Sequence, residues 1–176
     1  MSSHFSILAT KCLVALGLLI VPLLVQAKVD DVDLKAVYLF RFALLSDWNH
    51  TNIATDHIDY CVAQQSDVGF RLEAIVATKP DMARFHDMLS GVAPSVCHIL
   101  FIENGDEAII ANMHVRYPNA LLVGNGVEFV ANGGMVAFIK VRNRIRPLIS
   151  RQNVEKSRVQ IRSQLLEVSE IYEKAT

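Results

Sequence analysis

The sequence has no surplus of charge. Its 17 lysines and arginines stand against 18 aspartates and glutamates, a formal net charge of −1, so bulk attraction to nucleic acid or anionic lipid is not a basis for function. Cysteines number 3, and the chain-breaking residues are 8 glycines and 5 prolines in 176 residues. No proline-rich linker, low-complexity tract or internal repeat marks off a second domain. Also missing are the short motifs of common chemistries: a Gly-x-Ser-x-Gly elbow, a phosphate loop ending in Gly-Lys-Ser/Thr, a His-x-x-x-His pair. Gly124 and Gly126 lack the third glycine of a dinucleotide fingerprint, since Phe129 holds its place. His50, His57, His86, His98 and His114 are scattered, and Cys97 and His98, as strand neighbours, point to opposite faces. They read as structural residues. No catalytic residue, metal ligand or cofactor-binding residue emerges.

What is present begins with an export signal. Cys12–Val25 is an uncharged apolar run behind Lys11, shorter than the roughly 20 residues of a spanning helix. Val25-Gln26-Ala27 fits a signal-peptidase site. Residues 1–27 are therefore expected to be a cleaved signal peptide and 28–176 the mature, exported domain. Thr10-Lys11 before Cys12 rules out a lipobox. Cleavage removes one base and no acid, so the mature chain stays slightly acidic.

The mature chain alternates helical and extended patterns. Asp30-Asp31-Val32-Asp33 offers carboxylates to a first helical turn, and Leu34, Val37, Tyr38, Phe40, Ala43 and Leu44 continue at helical spacing to about Ser46. Trp48 follows, as a plug under the helix end or as a ring for ligand stacking. A strand over His57–Ala63 leads to a capped helix over Val68–Ala77 with Phe70, Leu72, Ile75 and Val76 inward. Ala83–Leu89 reads as a short strand, Val96–Ile102 as a central one, and Glu107–Val115 as a helix ending before Pro118. Leu121–Val123 stops at Gly124-Asn125-Gly126, and a short helix over Val127–Ala131 ends at Asn132-Gly133-Gly134. Strands Met135–Val141 and Arg144–Ile149 flank a tight turn at Arg142-Asn143, with Ile145 facing opposite to Arg144 and Arg146. Ser150 caps a helix to about Lys156, Val159–Ile161 is extended, and Ser163 opens a final helix carrying Leu165, Leu166, Val168 and Ile171 inward. The pattern predicts a single α/β domain: a mixed sheet with helices on both faces, then a C-terminal β-hairpin and helix.

With Cys12 gone, an even pair in an oxidising compartment favours a Cys61–Cys97 disulfide, two buried thiols being the other reading. Lys140–Arg162 gathers eight bases around a single acid, Glu155. That is a solvated face or a docking surface for an acidic protein, arginine being favoured at interfaces.

The chain resembles the YfiR-like family. Leu34-Lys35-Ala36-Val37-Tyr38-Leu39-Phe40 with Asp47-Trp48 matches the family's opening, and Tyr60-Cys61-Val62, Cys97–Ile102, Leu122-Val123-Gly124 and Gly133–Phe138 follow in order. The Ile161-Arg162-Ser163-Gln164-Leu165-Leu166 tail completes it, with Arg162 where the family usually has serine and Pro147-Leu148 where it usually has an aromatic and an acid. The proline, lacking a ladder donor, predicts an edge position for its strand or an early end to it. The resemblance implies a non-enzymatic periplasmic regulator without cofactors. It would hold inactive the periplasmic part of an inner-membrane diguanylate cyclase, lowering cyclic-di-GMP and biofilm, with an outer-membrane lipoprotein able to sequester it. A homodimer is left open. Arg142, Arg144, Arg146 and Trp48 are the candidate partner contacts. A periplasmic small-ligand sensor or solute-binding domain, with Trp48 and Gly124–Gly126 near its pocket, is the alternative.

Overall fold

A computed structural model describes residues 30–173. The expected signal peptide and its cleavage site lie outside them. Helix α1 (Asp31–Leu44) starts where Asp30 accepts the Val32 N–H, and its first turn carries Asp31 and Asp33. Then come β1 (Ser46–Asp47), β2 (Ile58–Val62), α2 (Asp67–Ala77), β3 (Ala83–Asp87), β4 (Ile99–Phe101), α3 (Glu107–Arg116), β5 (Leu121–Asn125) and α4 (Gly126–Ala131). The chain ends with β6 (Val136–Val141), β7 (Arg144–Ile149), α5 (Arg151–Glu155), β8 (Gln160–Ile161), α6 (Ser163–Glu167) and β9 (Glu170–Ile171).

The main sheet has the order β3-β2-β4-β5-β6-β7-β9. From β3 to β6 its strands run parallel, β7 is antiparallel to β6, and β9 runs parallel to β7. The parallel part is doubly wound: the chain moves outward from β2 to β3, then returns through β4 to the other side. A two-stranded β1–β8 sheet ties the end of α1 to the chain before α6.

Register sorts the side chains onto two faces. Tyr60, Phe101 and Phe138 face α1: the Phe42 and Phe138 rings stack at 5.7 Å, Phe40 stacks on Tyr60 at 5.6 Å, and the Tyr60 hydroxyl donates to Phe40 O. Burial pushes the Tyr60 phenol well above its ordinary pKa. α2 lies on this face too, with Gly69 tight against Val62. On the other face the Phe129 ring of α4 is held between Gly124 and Gly134, close to Ile110 of α3. α4 closes as its pattern predicts: Gly133 takes φ 109°, its N–H reaches Val130 O, and Gly134 N–H reaches Phe129 O.

Several expectations need correction. In α1 the buried face is Ala36, Leu39, Phe42 and Ala43, while Val37 and Leu44 are exposed. The helix is apolar nearly all round, so its periodicity does not fix its phase. Phe70, expected inward on α2, is exposed, with Val68, Leu72 and Val76 taking the core positions. The strand expected over Val96–Ile102 is assigned only to Ile99–Phe101, although His98 N–H still reaches Asp59 O and Ile102 N–H reaches Val123 O. The final helix stops at Glu167, because the chain then turns to pair Glu170 and Ile171 with Leu148 and Ile149.

Pro147 sits as its missing donor requires. Tyr172 N–H bonds to Ile149 O, so Ile149 directs its backbone away from β6, and so does Pro147 two residues earlier. Its nitrogen therefore faces an edge that β9 covers only at Leu148 and Ile149.

Candidate functional site

The hairpin β6–β7 turns through Arg142 and Asn143, both left-handed (φ 47° and 61°). Two residues of that hand fit the right-handed twist of the strands. Asparagine tolerates it, but an arginine there is uncommon, and such outliers point toward function. The turn puts Arg144 opposite Val141 and Arg146 opposite Ile139, on the face away from α1. Ile139, Val141, Arg142, Arg144, Arg146 and Glu170 line a cleft of about 920 Å³ with a partly apolar floor. Arg146 donates to Glu170 at 2.8 Å, both side chains being about half exposed. Among the described residues, no ion pair engages Arg142 or Arg144.

The other bases of the segment do not join this face. Lys140 turns to the α1 side and pairs with Asp31 at 2.7 Å. Arg151 lines a separate depression with Glu155. Lys156, Arg158 and Arg162 are exposed beyond the hairpin.

Trp48 lies at the opposite end of the sheet. It is 3% exposed, its indole N–H donates to Asn119 O at 2.9 Å, and its ring meets His98 edge-on at 5.2 Å. This is the core-plug arrangement. The carboxyl ends of β4 and β5, where doubly wound sheets receive ligands, are occupied by the protein's own side chains. Lys35 Nζ donates to Asn125 Oδ1 at 2.8 Å, Asn125 donates to Glu103 Oε1 at 3.0 Å, and Phe129 fills the space over Gly124.

A cluster that sequence spacing did not show surrounds Asp59. Its carboxylate meets His86 Nε2 at 2.8 Å and lies 3.4 Å from His98 Nδ1. Beside it is a cleft of about 480 Å³ that also takes in His57, Arg84 and Val92. Nothing in the sequence marks this meeting, since β2, β3 and the entry to β4 bring together residues remote along the chain. His98 is fully buried, with Nδ1 accepting the Asp59 N–H and Nε2–H donating to Ala54 O. Burial holds its pKa below the ordinary 6.5, outweighing the opposite pulls of the Ala54 carbonyl and Asp59. The unfolded chain thus takes up this proton more readily, so His98 contributes stability that is present above about pH 6.5 and is lost as pH falls below it. The melting temperature is expected to drop on acidification from pH 7 to 5. A His98→Asn variant, measured alongside, should show a shallower drop; equal slopes would remove His98 from the account. No group of three or more metal-ligating side chains with suitable geometry occurs among the described residues.

These features define a class: a doubly wound α/β domain, bridged between Cys61 and Cys97, with an arginine-lined concavity carried by a β-hairpin. The chain belongs to the YfiR/HmsC-like family, whose profile matches residues 32–170. No individual curated protein matches the chain well enough to add a relative. Among the described residues, no helix is long and apolar enough to cross a membrane.

Proposed function

We propose that this chain is a non-enzymatic periplasmic regulator, exported with cleavage after Ala27, that docks on and inhibits the periplasmic part of an inner-membrane diguanylate cyclase. By restraining the cyclase it tunes cyclic-di-GMP and biofilm formation, and an outer-membrane lipoprotein relieves the restraint by sequestering it. The observation that carries the reading is family membership across residues 32–170. Supporting it is the arginine cleft, on a chain that is otherwise balanced in charge. Physically the inhibition is a population shift, in which the regulator binds the inactive cyclase conformation better than the active one. Exposed arginines steer association toward a carboxylate-bearing surface, an effect that salt weakens.

Deleting the gene is expected to raise cyclic-di-GMP and surface attachment. Reversing Arg142, Arg144 and Arg146 to glutamate should reproduce that phenotype in a protein that remains folded, since all three side chains are exposed and loss of a half-exposed pair such as Arg146–Glu170 costs only about 0–1 kcal/mol. Arg142→Asn gives a sharper contrast: it relieves the left-handed turn, so stability should hold or rise while inhibition weakens. Unchanged cyclic-di-GMP on deletion overturns the circuit. A silent triple reversal keeps the circuit and moves the docking face elsewhere, the region around Trp48 being the next to test.

A further inference from the structure

Of the three arginines in the hairpin cleft, only Arg146 forms an ion pair among the described residues, donating to Glu170 Oε1 at 2.8 Å. Backbone register sets this pairing. Leu148 of β7 lies beside Glu170 of β9, and side chains alternate along β7, so Arg144 and Arg146 share a face with Glu170. The same face carries Ile139 and Val141, the half-exposed floor of the cleft. Glu170 is thus an acid of the chain's own tail, delivered into an arginine cleft by the two-residue β9. The Tyr172 N–H bond to Ile149 O holds that strand whether or not the carboxylate is engaged. A change of side-chain rotamer is therefore enough to free Arg146.

We propose that Glu170 is a built-in competitor, occupying the place that a carboxylate of the docking partner takes and lowering the affinity of the cleft for it. The inference rests on the reading of this cleft as the docking surface, and it names what the surface receives: a short, extended stretch of acidic chain. The present occupant, a glutamate, already shows the chemistry that the cleft accepts. Arg144 and Arg146, two residues apart on one strand face, stand about 7 Å apart. Alternate side chains of an extended segment present their carboxylates at the same spacing. Arg142 adds a third cation at the turn, and Ile139 and Val141 offer apolar surface to the methylene stems of glutamates.

The competition follows from what each arginine gains. A partner carboxylate arriving at Arg146 replaces a bond already made, so little is gained there, and Glu170 repels it on the way in. Arg142 and Arg144, which no ion pair engages, give the full gain. Both side chains of the Arg146–Glu170 pair are close to half exposed, at 49% and 42%, so the pair contributes little to the fold. Its effect falls on what enters the cleft.

The test uses the purified mature chain and fluorescein-labelled hexaglutamate, read by fluorescence anisotropy at low salt. Glu170→Gln is expected to bind the peptide about two- to fivefold tighter than the parent, the range set by one exposed ion pair, with an unchanged melting temperature. Added salt should close the gap. Glu155→Gln removes the same charge from a separate depression and should bind like the parent. In an Arg146→Gln background, where the contested cation is gone, the gain from Glu170→Gln should shrink. A Glu170→Gln chain that binds no tighter, whether or not it melts lower, would mark a purely structural pair and overturn the proposal. So would an equal gain from Glu155→Gln, which net charge alone explains, or no binding of hexaglutamate by either chain. In cells, Glu170→Gln should lower cyclic-di-GMP below the parent's level. Tighter hexaglutamate binding with unchanged cyclic-di-GMP would leave the competition standing and overturn the cleft as the docking face.

Discussion

A Cys61→Ala/Cys97→Ala double variant is expected to melt about 12 °C below the parent chain. The bridge joins β2 to Cys97, two residues ahead of β4, with a sequence separation of 36. Closing a loop of that length removes entropy from the unfolded chain equivalent to about 3–4 kcal/mol. The closed segment contains α2 and the edge strand β3, so this unit, held otherwise by β2 and α1, should be the first to loosen. Chemical denaturation of the oxidised parent and the double variant measures the difference directly. A loss below about 1 kcal/mol would mean that the unfolded chain is already compact around this loop.

The second large effect is expected at Gly134. A Cβ there would lie 2.1 Å and 2.2 Å from ring atoms of Phe129 and 2.7 Å from the Phe129 carbonyl oxygen. Gly124 grips the other side of the ring, where a Cβ would come within 2.4 Å. The ring is buried and cannot swing aside into solvent. Gly134→Ala should therefore cost about 2–3 kcal/mol, in the range of core overpacking. Trimming the ring in a Gly134→Ala/Phe129→Leu double variant should recover part of that loss, because the two positions are in contact and couple. The recovery stays incomplete, since the clash with the carbonyl remains. If the two losses simply add, the steric explanation is wrong.

Gly134 also shows what was legible in the sequence. The Asn132-Gly133-Gly134 cap, the Arg142-Asn143 turn and the strand alternation through Arg144–Ile149 rest on local rules, and each stands in the structure. The pair Cys61 and Cys97 followed from compartment and parity alone. Less visible were features set by distant partners. Val168 and Ile171 continue a helical spacing, yet the tail leaves the helix to pair with β7. The short β1–β8 ladder has too few residues to show a period. Phe70 and Val37 look like core residues in sequence, and only the packing of α1 beside α2 leaves them outside. For the candidate site, the arginine cluster could be read, but not that Lys140 belongs to the opposite face. The Asp59, His86 and His98 cluster had no spacing to betray it.

Pro147 gives the sheet an asymmetry with consequences at high concentration. An open sheet with two usable edges can add copies without limit and grow into a fibre. Here one side ends in the two-residue β9, which covers β7 only at Leu148 and Ile149, and Pro147 on the uncovered part of β7 offers no donor. Addition of strands in register is therefore left to the β3 edge. A sheet with one blocked edge is guarded against growth into a fibre. Replacing Pro147 with a residue that carries an N–H would remove part of that guard.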